Sequence, residues 1–386
     1  MKIGIVLYPT FGGSGIVATE LGKALAEKGH EIHFISYNHP VKLDHFLPNI
    51  RYHEVRPFHY PLFDYQPYEL ALTSKLVDVV RYENLDVLHV HYAIPHASAA
   101  YFAKQILKTH NINIPFITTL HGTDITLVGK QPSFEPVITF SINESDAVTV
   151  VSESLKRDTF RHFAITNEIE VIPNFVEHSH YCIEPKEDAL ISKKAIAPNG
   201  ERIICHVSNF RKVKRIEDVV SVFEKVRKIM PVKLILAGDG PERYKIEQLC
   251  KDHKICKDVH MVGNVQIIAE IYCISDLFIL PSETESFGLA ALEALASGVP
   301  VISTNSGGLP EVNKHGYSGF LSNVGDVEDM SKNALTILES EESLQKFKKQ
   351  AHTHSLNFGL KAVLPKYEEI YTRLVNKARL EAKPAK

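Results

Sequence analysis

The feature that most restricts what this chain can fold into is a repeated alternation. Short apolar runs rich in β-branched residues are each followed by a stretch with helical spacing. In the first half the runs fall at 3–7, 32–35, 86–90, 115–119, 147–151 and 169–172. Strands separated by helical stretches predict parallel sheets joined by crossover helices. The first helix is representative: Ile16, Val17, Leu21 and Leu25 share a face and Gly29 supplies the stop. After Pro173 the periodicity dissolves into a polar stretch containing Pro185 and Pro198-Asn199-Gly200, and a second series begins at Ile203-Ile204-Cys205-His206-Val207. It continues with strand candidates at 233–237, 258–262, 277–280 and 299–303 and helical segments at 215–229, 242–253 and 326–338. The expected class is α/β, with two Rossmann-like doubly wound domains facing a cleft, and 386 residues suit two such cores. The expected boundaries are 1–175 for the first domain, 176–200 for a linker, 201–358 for the second domain, and 359–386 for a C-terminal helix packing back toward the first.

Charge narrows the partners. Lys plus Arg number 43 against 46 for Asp plus Glu, a net charge of -3 that supplies no field for nucleic acid or an anionic membrane. Any anion must be held by a local site. The apolar run at the start is too short for a signal-peptide core or a membrane span, so a cytoplasmic protein is expected. Five cysteines, Cys182, Cys205, Cys250, Cys256 and Cys273, are odd in number and widely spaced. They read as reduced packing residues, without a zinc site.

Two places carry chemistry. The first strand runs into Gly12-Gly13-Ser14-Gly15 and a helix, where backbone N–H groups could approach an anion, although a plain tight turn fits as well. It departs from a dinucleotide fingerprint, which argues against a dehydrogenase. The second place is Glu285-Ser286-Phe287-Gly288-Leu289-Ala290-Ala291-Leu292-Glu293. Reading 287–297 as a helix puts Glu285 in the preceding loop and Glu293 about two turns in. The amides near Gly288 and Leu289 could face a diphosphate, and the carboxylates could accept from sugar hydroxyls. A solvated face is the ordinary place for a helical glutamate, but the neighbours of Glu293 are nearly all apolar, which describes a buried helix carrying one costly acid.

The segment from Ser282 to Pro300, with Thr304-Asn305-Ser306-Gly307-Gly308-Leu309-Pro310-Glu311 and Gly319-Phe320-Leu321, resembles the donor-binding half of the family-4 glycosyltransferases. The resemblance extends over essentially the whole chain. It implies a GT-B fold whose C-terminal domain holds a nucleotide sugar, with Glu293 on the ribose, Glu285 on the sugar and Lys214 on the diphosphate. Gly13, Asn209, Gly263, Phe287, Gly288 and Leu289 complete the expected donor contacts. The family usually has arginine where Asn209 stands, and Arg211 is expected to supply that charge instead. Such cations suit a leaving group on which negative charge grows. By itself, the run Arg211, Lys212, Lys214 and Arg215 would read as a solvated basic turn. His121, in Thr118-Thr119-Leu120-His121-Gly122-Thr123-Asp124, is carried by the resemblance to a hydrogen bond with the donor sugar, with Asp124 as its orienting partner.

Within that family the agreement is longest with members that start bacillithiol biosynthesis. The segments are Tyr8 to Gly15, Ala18 to Lys23, His89 to His96, Leu120 to Thr126 and His206 to Arg215. This implies UDP-N-acetylglucosamine as donor and L-malate as acceptor. A small dianion needs donors: the amides at Ser14 and Gly15, the hydroxyls of Tyr92, Thr118 and Thr119, Asn174 and at least one cation. Asp64 and Thr139 stand where basic residues would be expected, and Lys42, Arg56 or Lys75 are the candidates to compensate. A family-4 enzyme with a sugar or lipid acceptor, or a non-catalytic sugar-nucleotide-binding protein, therefore stays open. Transfer is expected to retain configuration and to need no metal or other cofactor. There is no Asp-x-Asp, and His89, His91 and His96 lack an adjacent carboxylate pair. A homo-oligomer is neither required nor opposed.

Overall fold

Seven strands build one parallel sheet in the first unit, which comprises Met1–Asn174 and the segment from Leu360. They are β1 (Lys2–Val6), β2 (Glu31–Ser36), β3 (Ile50–Glu54), β4 (Val87–His91), β5 (Phe116–Leu120), β6 (Ala147–Val150) and β7 (Ile169–Val171), in the order β3-β2-β1-β4-β5-β6-β7. The computed structural model describes residues 1–10, 12–43, 47–57, 67–127, 131–183, 187–265 and 267–381. Asp64 lies outside them. The central strands are covered on both faces, and Ile3, Ile5, Val6, Val87, Leu88, Val90, Phe116 and Ile117 are fully buried. That double burial is why they run without polar alternation. β3 escaped the sequence reading because it is an edge strand, Ile50-Arg51-Tyr52-His53-Glu54, with Arg51 exposed. Gly22 sets the approach of helix Gly13–Glu27 to the sheet, since a Cβ there would lie 2.3 Å from the Phe34 ring. Helix Leu360–Glu381 belongs to this unit, and its Tyr371 hydroxyl meets Nδ1 of His89 on β4 at 2.7 Å.

The second unit, Phe175–Gly359, holds six parallel strands: β8 (Arg202–Val207), β9 (Val232–Ala237), β10 (Val259–Gly263), β11 (Leu277–Leu280), β12 (Val301–Thr304) and β13 (Gly319–Ser322). Their order is β10-β9-β8-β11-β12-β13, so in both sheets the strand order reverses beside the first strand, and the carboxyl ends of the strands there form the natural ligand rim. β13, a four-residue edge strand, was also not anticipated.

Two expectations need correction. The stretch 176–200 is not a linker: it contains the turn His178–His180 and helix Glu187–Ile196 and belongs to the second unit. It is tied down by polar contacts, His178 Nε2 to Ser355 Oγ at 2.9 Å and Lys193 to Asp276 at 3.5 Å. The helix buries none of its side chains, so it carries no apolar stripe for periodicity to detect. Nor are all five cysteines reduced: Cys182 and Cys273 are joined as a disulfide. They lie 91 residues apart, and such pairing is created by the fold rather than by spacing. Cys205, Cys250 and Cys256 are free. Among the described residues no helix is long and apolar enough to cross a membrane.

Candidate functional site

In the second unit the expected donor residues gather at the carboxyl ends of β8 to β12. Beyond β8 the chain makes a tight turn at Lys212–Lys214, and Nζ of Lys214 reaches Oε1 of Glu285 at 2.5 Å. Ser282 Oγ donates to the same oxygen at 2.9 Å. The loop carrying Glu285 is held from beneath by Gly307 and Gly308. Gly308 N–H donates to the Glu285 carbonyl at 2.8 Å, and a Cβ on Gly307 would lie 2.0 Å from that oxygen. The two glycines are therefore required by a close backbone approach.

Asn209 and Arg211 form a unit. With the amide oxygen of Asn209 turned toward the guanidinium, it accepts from Arg211 at 2.9 and 3.1 Å. The residue standing where the family has arginine thus holds the neighbouring arginine. Arg215 is spent on Asp218, at 2.7 Å. Beneath this turn His206 is fully buried, and burial pushes its ring down to about 4. Its Nδ1 donates to the Ile279 carbonyl, so Nε2 accepts from Ser208.

The second carboxylate lies on helix Leu289–Ala296, which begins two residues later than expected because Gly288, with φ of 97°, cannot extend it backward. Glu293 is only 8% exposed, and the Tyr181 hydroxyl donates to its Oε1 at 3.2 Å. Tyr181 was missed because it lies in the polar stretch read as a linker. Phe287 is buried with its ring 6.0 Å from that of Phe358. Gly263 closes β10 with φ of 69° and accepts from Gly238 N–H at 2.7 Å.

In the first unit, Ser14 and Tyr92 come together at the ends of β1 and β4, with their hydroxyls 2.6 Å apart. Tyr92 has φ of 82°, an uncommon conformation for a bulky residue and one that concentrates at functional sites. Its ring lies 5.2 Å from that of His121. Nε2 of His121 pairs with Nδ1 of His91 at 2.8 Å, and burial pushes His121 down to about 3, so the ring is neutral near pH 7. His91, set aside in the sequence reading, is its orienting partner. The β4–β5 register makes the pairing: His91 registers with Thr119, and His121 follows two residues later.

Three assignments in this unit change. Asp124 does not hold the His121 ring; its carboxylate accepts from the backbone N–H groups of Ala93 and Gly122 at 2.9 and 3.1 Å, and burial raises it to about 6. Thr118 and Thr119 are interior, with Thr118 Oγ1 paired to Ser145 and Thr119 Oγ1 to His89 and Thr149. Both faces of a central strand are covered, so their hydroxyls are not presented to an acceptor. Gly15 has a structural reason to be glycine, because a Cβ there would lie 2.6 Å from the carbonyl oxygens of Tyr8 and Thr10. Gly13 opens its helix, and Asn174 is buried. Thr139 donates to Glu135 at 2.9 Å. Of the compensating cations, Lys42 is exposed, while Arg56, paired with Glu54 at 2.6 Å, and Lys75 line a cavity of about 720 Å³ beside β3. Among the described residues, one group has metal-ligand proximity: His33, His53 and Glu83. Arg51 stands beside it, 3.8 Å from Glu83.

Comparison with known proteins identifies the family and the fold. Residues 11–180 match the family model described as Glycosyltransferase Family 4, and residues 187–354 match Glycosyl transferases group 1. The chain is 46% identical over 373 residues, 96% of each protein, to N-acetyl-alpha-D-glucosaminyl L-malate synthase of Bacillus anthracis. It is 26% identical over 313 residues to 2-deoxystreptamine N-acetyl-D-glucosaminyltransferase of Niallia circulans, covering 75% of this chain and 76% of that one. Among solved structures, HepE of Anabaena in complex with UDP and glucose superimposes with a TM-score of 0.78 at 18% identity, over 96% of this chain and 99% of that one.

Proposed function

The chain belongs to the family-4 glycosyltransferases of GT-B fold, and from that membership we propose a cytoplasmic, retaining, metal-independent enzyme that transfers N-acetylglucosamine from UDP-N-acetylglucosamine to the hydroxyl of L-malate, opening bacillithiol biosynthesis. The observation that carries the choice of substrates is the near full-length identity to the Bacillus anthracis synthase.

In this reading Glu293 accepts from the ribose hydroxyls, and Lys214, Arg211 and the first amides of helix Leu289–Ala296 receive the diphosphate. The charge of Lys214 is answered by Glu285. An arriving diphosphate gives the lysine a second anionic partner and lets Glu285 accept from a sugar hydroxyl. As the bond from the anomeric carbon to the phosphate oxygen breaks, charge grows on that oxygen, and fixed cations stabilise it. The same oxygen takes the proton of the malate hydroxyl while the malate oxygen bonds to the anomeric carbon on the face being vacated, so the α configuration is kept. His121, neutral and oriented by His91, is suited to hydrogen-bond the sugar without adding charge. The amides at Ser14 and Gly15 and the Ser14–Tyr92 hydroxyl pair are the proposed seat of malate.

The test is direct. Purified protein, UDP-N-acetylglucosamine and L-malate should yield UDP and N-acetylglucosaminyl-malate, detected by mass spectrometry. Turnover with a sugar or lipid acceptor and none with malate would refute the acceptor. UDP binding without turnover on any acceptor would leave a binding protein.

A further inference from the structure

Cys182 and Cys273, with Cα atoms 5.7 Å apart, each follow a tyrosine that touches helix Leu289–Ala296. Tyr181 donates to Oε1 of Glu293, and Tyr272, fully buried, donates to the Ala290 carbonyl at 3.1 Å. The bridge therefore joins two segments whose neighbouring tyrosines both reach the helix that carries Glu293. Cys273 is buried on helix Ile268–Ile274, whereas Cys182 is half-buried at the edge of a stretch whose own helix buries no side chain. The cross-link adds to the polar bonds from His178 and Lys193 that tie this stretch to the rest of the unit.

We propose that Cys182 and Cys273 form a reversible thiol–disulfide site that governs how firmly Tyr181 holds Glu293, so that oxidation of the pair tightens uridine nucleotide binding and reduction loosens it. The proposal rests on the donor-binding reading of Glu293 and adds a control to it. An ionised carboxylate offers about four acceptor positions. Tyr181 uses one of them, and its contact orients the group. A side chain oriented before the ligand arrives loses less freedom on binding.

The chemistry is a two-electron exchange. A thiolate of a dithiol reductant attacks one sulfur of the bridge and forms a mixed disulfide. Its second thiol displaces the protein sulfur, and the products are two protein thiols and the reductant's own disulfide. A low-molecular-weight disulfide runs the exchange in reverse. In a reducing compartment the pair rests as thiols and closes under oxidative load. Two of the remaining thiols are poor competitors, because burial pushes Cys205 up to about 12 and Cys250 up to about 11, which withholds the reactive thiolate; Cys256 is exposed and takes a mixed disulfide that peptide mapping separates from the Cys182–Cys273 link.

The experiment compares wild-type protein treated with glutathione disulfide against protein treated with dithiothreitol, both desalted, with peptide mapping to locate the bond and calorimetry for UDP affinity. A Cys182–Cys273 linked peptide should appear only after oxidant, and the reduced form should bind UDP about three- to tenfold more weakly, the span of one ordered side chain. Cys182→Ser and Cys273→Ser should each match the reduced wild type and ignore the reductant. Tyr181→Phe should bind weakly in both states. Failure of the linked peptide to form, or equal UDP affinity in the two states, overturns the proposal while leaving the donor site standing. UDP bound in neither state removes the donor site, and this proposal with it.

Discussion

Gly307→Ala should damage stability and catalysis together, through one carbonyl oxygen. Gly307 has φ of 61°, a region where an L side chain costs roughly 1–2 kcal/mol. Its new Cβ would also lie 2.0 Å from the Glu285 carbonyl oxygen and 3.0 and 3.1 Å from the carbonyl carbon and amide nitrogen of the same residue. Real Cβ atoms stay beyond about 3 Å from such neighbours, so the Glu285 loop must retreat by about 1 Å, and overpacking of this kind adds roughly 1–3 kcal/mol. The expected total is about 2–5 kcal/mol. Because the loop presents Glu285 to Lys214, a shift of that size should lower kcat/KM about 100-fold. Gly316→Ala is the matched control: φ is 72° and no atom lies within 4 Å of its Cβ, so it bears the left-handed cost alone and should leave kcat/KM unchanged. Urea midpoints and initial rates on the two variants decide the matter. Equal stability and equal kcat/KM for both would refute the claim that Gly307 is there to let the Glu285 loop come close.

Glu293→Ala should weaken UDP binding by ~1–3 kcal/mol by calorimetry, the scale of hydrogen bonds to a charged group; unchanged affinity would remove it from the ribose. Transfer should proceed in excess chelator, and a loss restored by magnesium or manganese would defeat the metal-free mechanism. The folded protein should lose stability between pH 7 and pH 5. Burial holds His89 near 3 and His96 near 4 in the folded state, below the usual histidine value, so the unfolded chain binds the extra protons. Each ring then costs about 2 kcal/mol at pH 5. Asp124, raised to about 6, works in the opposite direction and returns about 1 kcal/mol. Urea midpoints that rise on acidification would refute this balance.

The sequence was legible where burial leaves a pattern and illegible where geometry decides. β1, β4, β5, β8 and β11 stand out because both faces are covered, whereas β3 and β13, at sheet edges, show no comparable run. Glu293 was conspicuous as an acid in an apolar helix, but the tyrosine on it was not, because Tyr181 comes from a segment that buries little. Thr118 and Thr119 were misplaced for the opposite reason: they sit near a strand end, yet hydrogen bonds to Ser145, His89 and Thr149 keep them inside. The substitution of Asn209 for arginine looked like a lost charge, and only the folded turn shows the amide gripping Arg211. The pairing of His91 with His121 needed the β4–β5 register.

The first unit is assembled from two stretches of chain separated by the second unit, and this has a consequence for synthesis. It leaves the first unit after Asn174 and returns at Leu360, and at that point Val176 and Gly359 form a bridge, with Val176 N–H on the Phe358 carbonyl at 3.1 Å. Everything between is a complete sheet of its own, so the ribosome delivers the second unit before the first has its last helix. Until Tyr367 and Tyr371 emerge, His89 lacks the hydroxyl that meets its Nδ1, and the face of β4 that they cover stays open to water. A nascent chain stalled before Leu360 would therefore display an N-terminal sheet lacking its Leu360–Glu381 helix and a C-terminal sheet with all its strands.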